Sequence, residues 1–511
     1  MKALCVTEYV MRDFASFGDR LAILDGTTGT ERSFKDLIHD VDAVGAGLQR
    51  EYGVQAGDAV ALMSPNHADY FSCLHGSAKL GLTITPVNPS YTAYEVGQQL
   101  VSSMSKVIIA HPDCLEAARG AADVKVARTG EPCAVISIDH EIAKLRTKTA
   151  ELPPTPRDPS DTIFLPYSSG TTGLPKGVML SHTNLVANIM QCYEIDTKFL
   201  GPSDVTISPL PLFHIYAFLV SLHAPLEIGT PLITMKRFDL ELFCKLLEEH
   251  KATRLHIVPP VLLRLAKDPI VDKYDVSSAK VAISAAAPLG IDLEMAFKER
   301  TNCQVKQFWG MSELSPIGLG NSDDNIKSGT VGQAVSSTEV KIIDVESGEV
   351  LGVDQPGELL VRGPQVMKGY LNDPEKTATC LTEDGWLHTG DIATIDKDGF
   401  VTITDRMKEL IKYKGFQIAP AELEAVLLTS EDVLDSCVIP VPDDEAGEVP
   451  RAYVVLQPNS KFTEQDVMDY VAERVTKYKR LTGGVKLVEA IPKTESGKLL
   501  RRKVIEMDQA Q

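Results

Sequence analysis

The sequence predicts an α/β protein: a large N-terminal domain of parallel α/β subdomains plus an antiparallel β subdomain, followed by a small α+β C-terminal domain. Three observations lead there. A chain of 511 residues with 44% hydrophobic content can fill more than one core, so it divides. Apolar, β-branched runs recur up to the segment near Ile283, each bounded by turn residues or followed by an amphipathic stretch. Beyond about Gly320 the texture changes to short strands separated by Gly and Asp turns.

Taken in order, DAVALMS near Val60, KVIIAH near Ile108, PLITM near Ile233, RLHIVPP near Ile257 and KVAISA near Ile283 read as buried parallel strands with crossover helices. FDLELFCKLLEEH, from Phe238 to His250, spaces its leucines along one helical face. KIIDVESGEVL, GELLVRGP and GFVTITD read as antiparallel strands. The last unit has helical stretches at Pro420 to Thr429 and Thr463 to Tyr478, with apolar strands at CVIPVP, AYVVLQ and VKLVEAIP. No Pro/Ser linker marks a junction, and the expected division is residues 1–404 and 405–511. There is no internal repeat or low-complexity segment.

A formal net charge of -19 argues against nonspecific binding to nucleic acid or an anionic membrane. Anionic ligands must therefore meet local positive charge, and Arg406, Lys408, Lys412 and Lys414 crowd nine positions that supply it unless they form an ordinary solvated surface. Nine scattered cysteines, an odd number without C-x-x-C spacing, speak against a disulfide framework or a zinc site and fit a reducing compartment. No apolar run reaches the roughly 18 to 20 residues that span a bilayer. Glu8 and Asp13 soon after Met1 do not suit a secretory leader, and Gln509, Ala510 and Gln511 are not a peroxisomal S-K-L. A cytoplasmic location is expected, and no protein partner is predicted.

The most informative stretch is YSSGTTGLPKGVMLSHTNL, from Tyr167 to Leu185. Gly170, Gly173 and Gly177 let main-chain N–H groups approach an anion, Ser168, Ser169, Thr171 and Thr172 add hydroxyls, and Lys176 adds a full positive charge. A polar linker is the plain alternative, but apolar runs flank the segment (TIFLPY before, VML after). A Walker A loop needs glycine before the lysine and Ser or Thr after it; here Pro175 precedes Lys176 and Gly177 follows. The segment resembles the AMP-binding motif of the acyl-adenylate-forming superfamily, which contains acyl-CoA synthetases, beetle luciferases and adenylation domains of peptide synthetases. PLFHIYA, SAAAPLG, QFWGMSE, GWLHTGD, DRMKELIKYKGFQIAPAELE and PKTESGK follow in the family's order over nearly the whole chain. KYKGFQ and PAELE are most similar to 4-coumarate:CoA ligases.

The resemblance implies an acid:CoA ligase that uses ATP, Mg2+ and coenzyme A, and a mobile C-terminal domain. A carboxylate must approach a negative α-phosphate, and the mixed anhydride must be kept from water. By resemblance Lys498 bridges carboxylate and α-phosphate during adenylation, and Glu313 holds magnesium. Asp391 takes the ribose hydroxyls beside Arg406, Trp309 offers a π-face to adenine, and Ala286, Gln307, Phe308 and Ser312 complete the nucleotide site. Rotation about Lys408 then withdraws Lys498 and brings in Lys412 and Gln417 for thioester formation, with Lys414, Gly415 and Arg237 contacting CoA. His214 is expected at the mouth of the acyl pocket, as gate or carboxylate partner; a lone histidine in an apolar stretch is otherwise a satisfied core residue. Outside the resemblance, Lys498 after Ser-Gly reads as a surface charge at a turn, and Asp391 after Gly390 as a turn cap.

The expected acyl pocket combines Tyr216, Ser284, Ala285, Gly310, Pro316 and Ile317. Ala285 stands where 4-coumarate ligases carry glycine, and Phe308 replaces the first glycine of their QGYG. Added volume there shortens or reshapes the cavity. A hydroxycinnamic acid is the expected substrate, with a medium-chain or oxylipin-type fatty acid as the alternative. Two further alternatives are a luciferase-like oxygenase and a non-catalytic nucleotide-binding protein; the retained Lys176, Glu313, Asp391, Arg406 and Lys498 argue against the latter. An aminoacyl-adenylating loader would carry an acidic residue after PLFH, and Tyr216 to Val220 has none.

Overall fold

A computed structural model describes residues 5–148, 152, 158–168, 176–196, 198, 200–407, 409–414, 416–443, 445–494 and 497–510, without the side chains of 416 and 417. Two large sheets form the N-terminal lobe. In the first, strands Leu21–Asp25, Leu232–Thr234, Thr206–Ser208, Arg254–Ile257, Val281–Ser284 and Gln304–Gly310 run parallel, and antiparallel strands flank them at both ends. In the second, Thr83–Val87, Ala59–Met63, Ser105–Ala110 and Ala134–Ser137 are parallel, and Lys176–Ser181 joins antiparallel to Thr162–Phe164. The five apolar runs singled out in the sequence are all parallel strands here. Their β-branched side chains are buried because helices cover the sheets, which is why they read as continuous apolar runs.

Helix Leu240–His250 begins two residues later than the leucine spacing suggests, because the Asp239 side chain caps it, accepting from the Leu242 N–H at 2.8 Å. Helices Phe34–Tyr52 and Tyr70–Leu80 pack closely at Gly45 and Gly76; a Cβ on Gly45 would stand 2.6 Å from the Gly76 carbonyl oxygen.

Strands Glu339–Ile343, Gly357–Arg362, Leu387–Ile395 and Val401–Arg406 form the expected antiparallel sheet. Asp405 and Arg406 belong to its last strand, and the next sheet begins at Ile411. That second, smaller sheet pairs Val433–Asp443 with Gly447–Leu456 and adds Ile411–Tyr413, Phe416–Ile418 and Val485–Leu487, with helices Pro420–Leu428, Glu464–Ala472 and Arg501–Gln509 against it. It encloses its own core, centred on Ile411, Leu423, Leu427, Val438 and Val454. The helix expected over Thr463 to Tyr478 ends at Ala472, and Val475 and Tyr478 fold back against that core. The two lobes meet where the Asp405 carboxylate accepts from the Ala421 N–H at 3.1 Å. Among the described residues, no helix is long and apolar enough to cross a membrane, and no two cysteines form a disulfide.

Candidate active site

A cavity of about 480 Å³ opens between the lobes. Its walls come from segments that leave the carboxyl ends of parallel strands, the place where open α/β sheets bind ligands. Asn88 and Tyr91 follow strand Thr83–Val87, Phe213 to Tyr216 follow Thr206–Ser208, Ala285 and Ala286 follow Val281–Ser284, and Met311 to Glu313 follow Gln304–Gly310. The antiparallel sheet adds Glu358, His388 to Gly390 and Arg406; the small lobe adds Thr494 and Lys498.

Lys498 reaches this cavity on a short turn. Thr494 N–H donates to the Lys498 carbonyl at 2.8 Å, and Lys498 N–H donates to Thr494 Oγ1 at 3.0 Å. Gly497 sits in this turn at φ +78°, a left-handed conformation open to glycine, and a Cβ there would lie 3.2 Å from Val258 of the large lobe. Burial lowers the Lys498 ammonium to about 8, and the Arg406 charge adds to that, against Glu409, Asp391 and Glu313. His214, half-buried in the same wall, is lowered to about 4, by desolvation first and the Lys498 charge second. Its Nδ1 accepts from the Tyr216 N–H at 3.3 Å, which leaves the ring proton on Nε2. At neutral pH His214 is therefore a neutral donor, which suits a carboxylate partner without adding charge.

At the other end stand Ser168, Lys176 and Glu313. Ser168 pairs with Lys176 at the base of an antiparallel hairpin. Ser169, Gly170, Thr171 and Thr172 lie outside the described residues, as do Lys408 and Gly415 and the side chain of Gln417. Lys176 lies 4.9 Å over the Tyr370 ring, and the Tyr370 hydroxyl donates to Glu313 at 2.8 Å. Glu313 is buried, and Tyr370 is its side chain's hydrogen-bond partner among the described residues, so the carboxylate keeps lone pairs toward the expected phosphates. Among the described residues no group of three or more His, Cys, Asp or Glu could hold a metal ion. One carboxylate plus substrate phosphates is nevertheless a normal magnesium environment, so Glu313 fits the ion.

Trp309, Phe308, Ser312, Gly310, Pro316, Ile317 and Tyr216 also line the cavity. Gly310 is required: a Cβ there would lie 1.9 Å from the Pro316 carbonyl oxygen. The Trp309 indole N–H donates to Asp391 at 2.8 Å, and Arg406 Nε lies 3.4 Å from the same carboxylate. Burial raises the Asp391 carboxyl, while Arg406 and Trp309 hold it down.

Six expected residues are not among the walls: Asp391, which touches the wall residues Trp309 and Arg406, and five others. Ser284 is fully buried behind Ala285, its Oγ without a partner among the described residues. Gln307 donates to Glu294 at 3.2 Å and to the Leu289 carbonyl at 3.4 Å, so its amide is engaged on the far side. Lys412 is exposed on the hairpin Ile411–Ile418, its N–H bound to Glu448 at 2.8 Å, and Lys414 Nζ lies 3.6 Å from Glu445. Arg237 is exposed on the large lobe. Conversely, the sequence reading missed Tyr370, Lys376, Thr379, Cys380, Glu358, His388 and Thr494 as wall residues. The segment GYLNDPEKTATC was the available signal for four of them, with a tyrosine, a lysine and two threonines near one proline-led turn.

Two family models cover the chain: AMP-binding enzyme over residues 11–371, and AMP-binding enzyme C-terminal domain over residues 422–498. 4-Coumarate–CoA ligase 2 of Petroselinum crispum is 40% identical, over 98% of this chain and 93% of its own. 4-Coumarate–CoA ligase 5 of Oryza sativa subsp. japonica is 40% identical, over 97% and 93%. Among solved structures, ATP-bound MatB from Rhodopseudomonas palustris matches with a TM-score of 0.87 at 28% identity, over 98% of both chains. The anthranilate CoA ligase AuaEII with anthranoyl-AMP matches at 0.91 over 100% of both, at 24% identity, and speaks for the fold alone. The chain belongs to the AMP-binding enzyme family, as an acid:CoA ligase of the 4-coumarate–CoA ligase type.

Proposed function

We propose that this ligase activates a hydroxycinnamate-type acid, first as the acyl-AMP with release of pyrophosphate and then as the CoA thioester with release of AMP. The observation that carries the reading is the insertion of Lys498 from the small lobe into a cavity shared with His214, Glu313 and Arg406. In the first step a carboxylate oxygen attacks the α-phosphorus. The Lys498 ammonium lies between the two anions and offsets their repulsion. His214 donates to the carboxylate from its neutral ring. A magnesium ion at Glu313, when bound, would neutralise phosphate charge.

The acyl end favours a flat substrate. Tyr216, Phe213 and Phe308 supply aromatic walls, and the Tyr216 hydroxyl is tied to the Ile283 carbonyl at 3.2 Å. Phe308 is held from behind, because the Lys306 ammonium lies 5.4 Å from its ring centre while paired to buried Asp196 and Asp323. A fixed ring here narrows the cavity in one dimension and accepts a planar acid more readily than a branched one.

With Lys498 inserted and Lys412 in solvent, the arrangement suits the first half-reaction. Thioester formation requires the small lobe to turn about Lys408, withdrawing Lys498 and presenting Lys412 and Gln417, with Lys414, Gly415 and Arg237 at the CoA. Pyrophosphate release by the purified protein, measured over a panel of hydroxycinnamic, benzoic and aliphatic acids with ATP, tests the substrate. Highest kcat/KM on 4-coumarate or a near relative is expected. Release with aliphatic acids only would replace this reading with a fatty acyl-CoA synthetase.

A further inference from the structure

We propose that Lys376 binds the leaving group of the adenylation step: together with Lys176 it grips the β- and γ-phosphates of ATP and the pyrophosphate they become. The proposal rests on the ATP-dependent adenylation proposed above. Lys376 belongs to the short helix Pro374–Ala378, whose position is fixed by Asp373 accepting from the Lys376 N–H at 2.9 Å and by Thr377 accepting from the Tyr370 N–H at 2.9 Å. Its side chain lines the same cavity as Lys176, Ser168, Glu313 and Tyr370.

Neither lysine makes an ion pair among the described residues. The two ammoniums are also close enough to repel. The Lys176 proton affinity is lowered by burial first and by the Lys376 charge next, while Glu313 and Asp373 offset only part of it. Like charges gathered in a partly water-excluded wall are unfavourable until a multivalent anion enters between them. A diphosphate supplies more of that charge than the single phosphate of AMP does.

The chemistry balances without a proton from either lysine. The carboxylate oxygen bonds to the α-phosphorus, the bond from that phosphorus to the α,β-bridging oxygen breaks, and the departing pyrophosphate keeps both electrons. Charge builds on that diphosphate as the bond breaks, so an ammonium facing it stabilises departure.

The test uses the full chain with Lys376→Met and Lys376→Arg. Calorimetric titration with ATP, AMP and inorganic pyrophosphate, each with magnesium, is paired with ATP–pyrophosphate exchange and with thioester formation from presynthesised acyl-AMP. In Lys376→Met, affinity for ATP and pyrophosphate should fall by roughly ten- to a hundredfold, the size of a lost charge-assisted contact. AMP binding and thioester formation should stay within about twofold, and Lys376→Arg should restore most of the loss. Unchanged ATP and pyrophosphate affinity, or an equal loss for AMP, would overturn the assignment. Absence of exchange by the unsubstituted protein on every acid would defeat the adenylation reading instead, with the three titrations still deciding Lys376.

Discussion

The small lobe carries two lysines in opposite circumstances. Lys498 is enclosed in the cavity at the end of a glycine-bearing turn, and its ammonium is lowered to about 8 by burial and by Arg406. Lys412 lies in solvent on a three-residue strand, opposite Gln417, with its backbone tied to Glu448. Side-chain chemistry is the same in both; surroundings differ. The difference teaches that the lobe's position, rather than residue type, decides which ammonium meets the cavity, and under the proposed mechanism which half-reaction it serves. A rigid lobe would leave one of the two without work.

The sharpest way to break this comparison is to remove each lysine. Lys498→Ala should lower adenylate formation by at least about a hundredfold, the usual cost of one preorganised donor at developing charge. Thioester formation from presynthesised acyl-AMP should survive. Lys412→Ala should do the reverse. Equal loss of both half-reactions in each variant, measured by single-turnover kinetics, would abolish the division of labour.

A second effect follows from the lowered Lys498. In the proposed adenylation step its protonated form acts, and in the free enzyme that form disappears as pH rises through about 8. The kcat/KM for adenylation should therefore fall about tenfold per pH unit on the alkaline side. His214, held near 4, stays neutral throughout and adds no limb of its own. Lys498→Arg, whatever its residual rate, should lose the alkaline limb because guanidinium stays charged. A flat wild-type profile up to about pH 10 would show that Lys498 is not the titrating group.

The fold was legible where physics repeats along the chain. Buried parallel strands such as Val281–Ser284 are apolar on both faces, and helix Leu240–His250 shows its face every third or fourth residue. Of the cavity walls, Ser168 and Lys176 stood out from their own segment, whereas Lys498 stood out only through the resemblance of PKTESGK and Thr494 beside it did not. Contacts between distant segments were not legible. Nothing near Glu313 announces the Tyr370 hydroxyl, and nothing near Trp309 announces Asp391, since 57 and 82 positions separate the partners. Gln307 misled for a related reason: its place in a motif is local, but its amide is taken by Glu294 of helix Ile291–Thr301, which precedes that strand.

The Trp309–Asp391 bond yields the smallest effect and a control for the larger ones. Both residues belong to the large lobe, and the adenosine they are proposed to meet, Trp309 at adenine and Asp391 at ribose, is present in ATP and in the acyl-adenylate alike. Trp309→Phe keeps an aromatic face and removes the indole donor 2.8 Å from the carboxylate. Burial already raises the Asp391 carboxyl; losing a donor that opposes this raises it further. The KM for ATP should rise about fivefold near neutral pH, as for one lost hydrogen bond, and more at lower pH as Asp391 takes up a proton. The affinity for presynthesised acyl-AMP should weaken by the same factor, because a residue that does not move with the small lobe cannot favour one half-reaction. A loss confined to ATP would mean that Trp309 acts through the lobe's position after all, and would blur the contrast between Lys498 and Lys412.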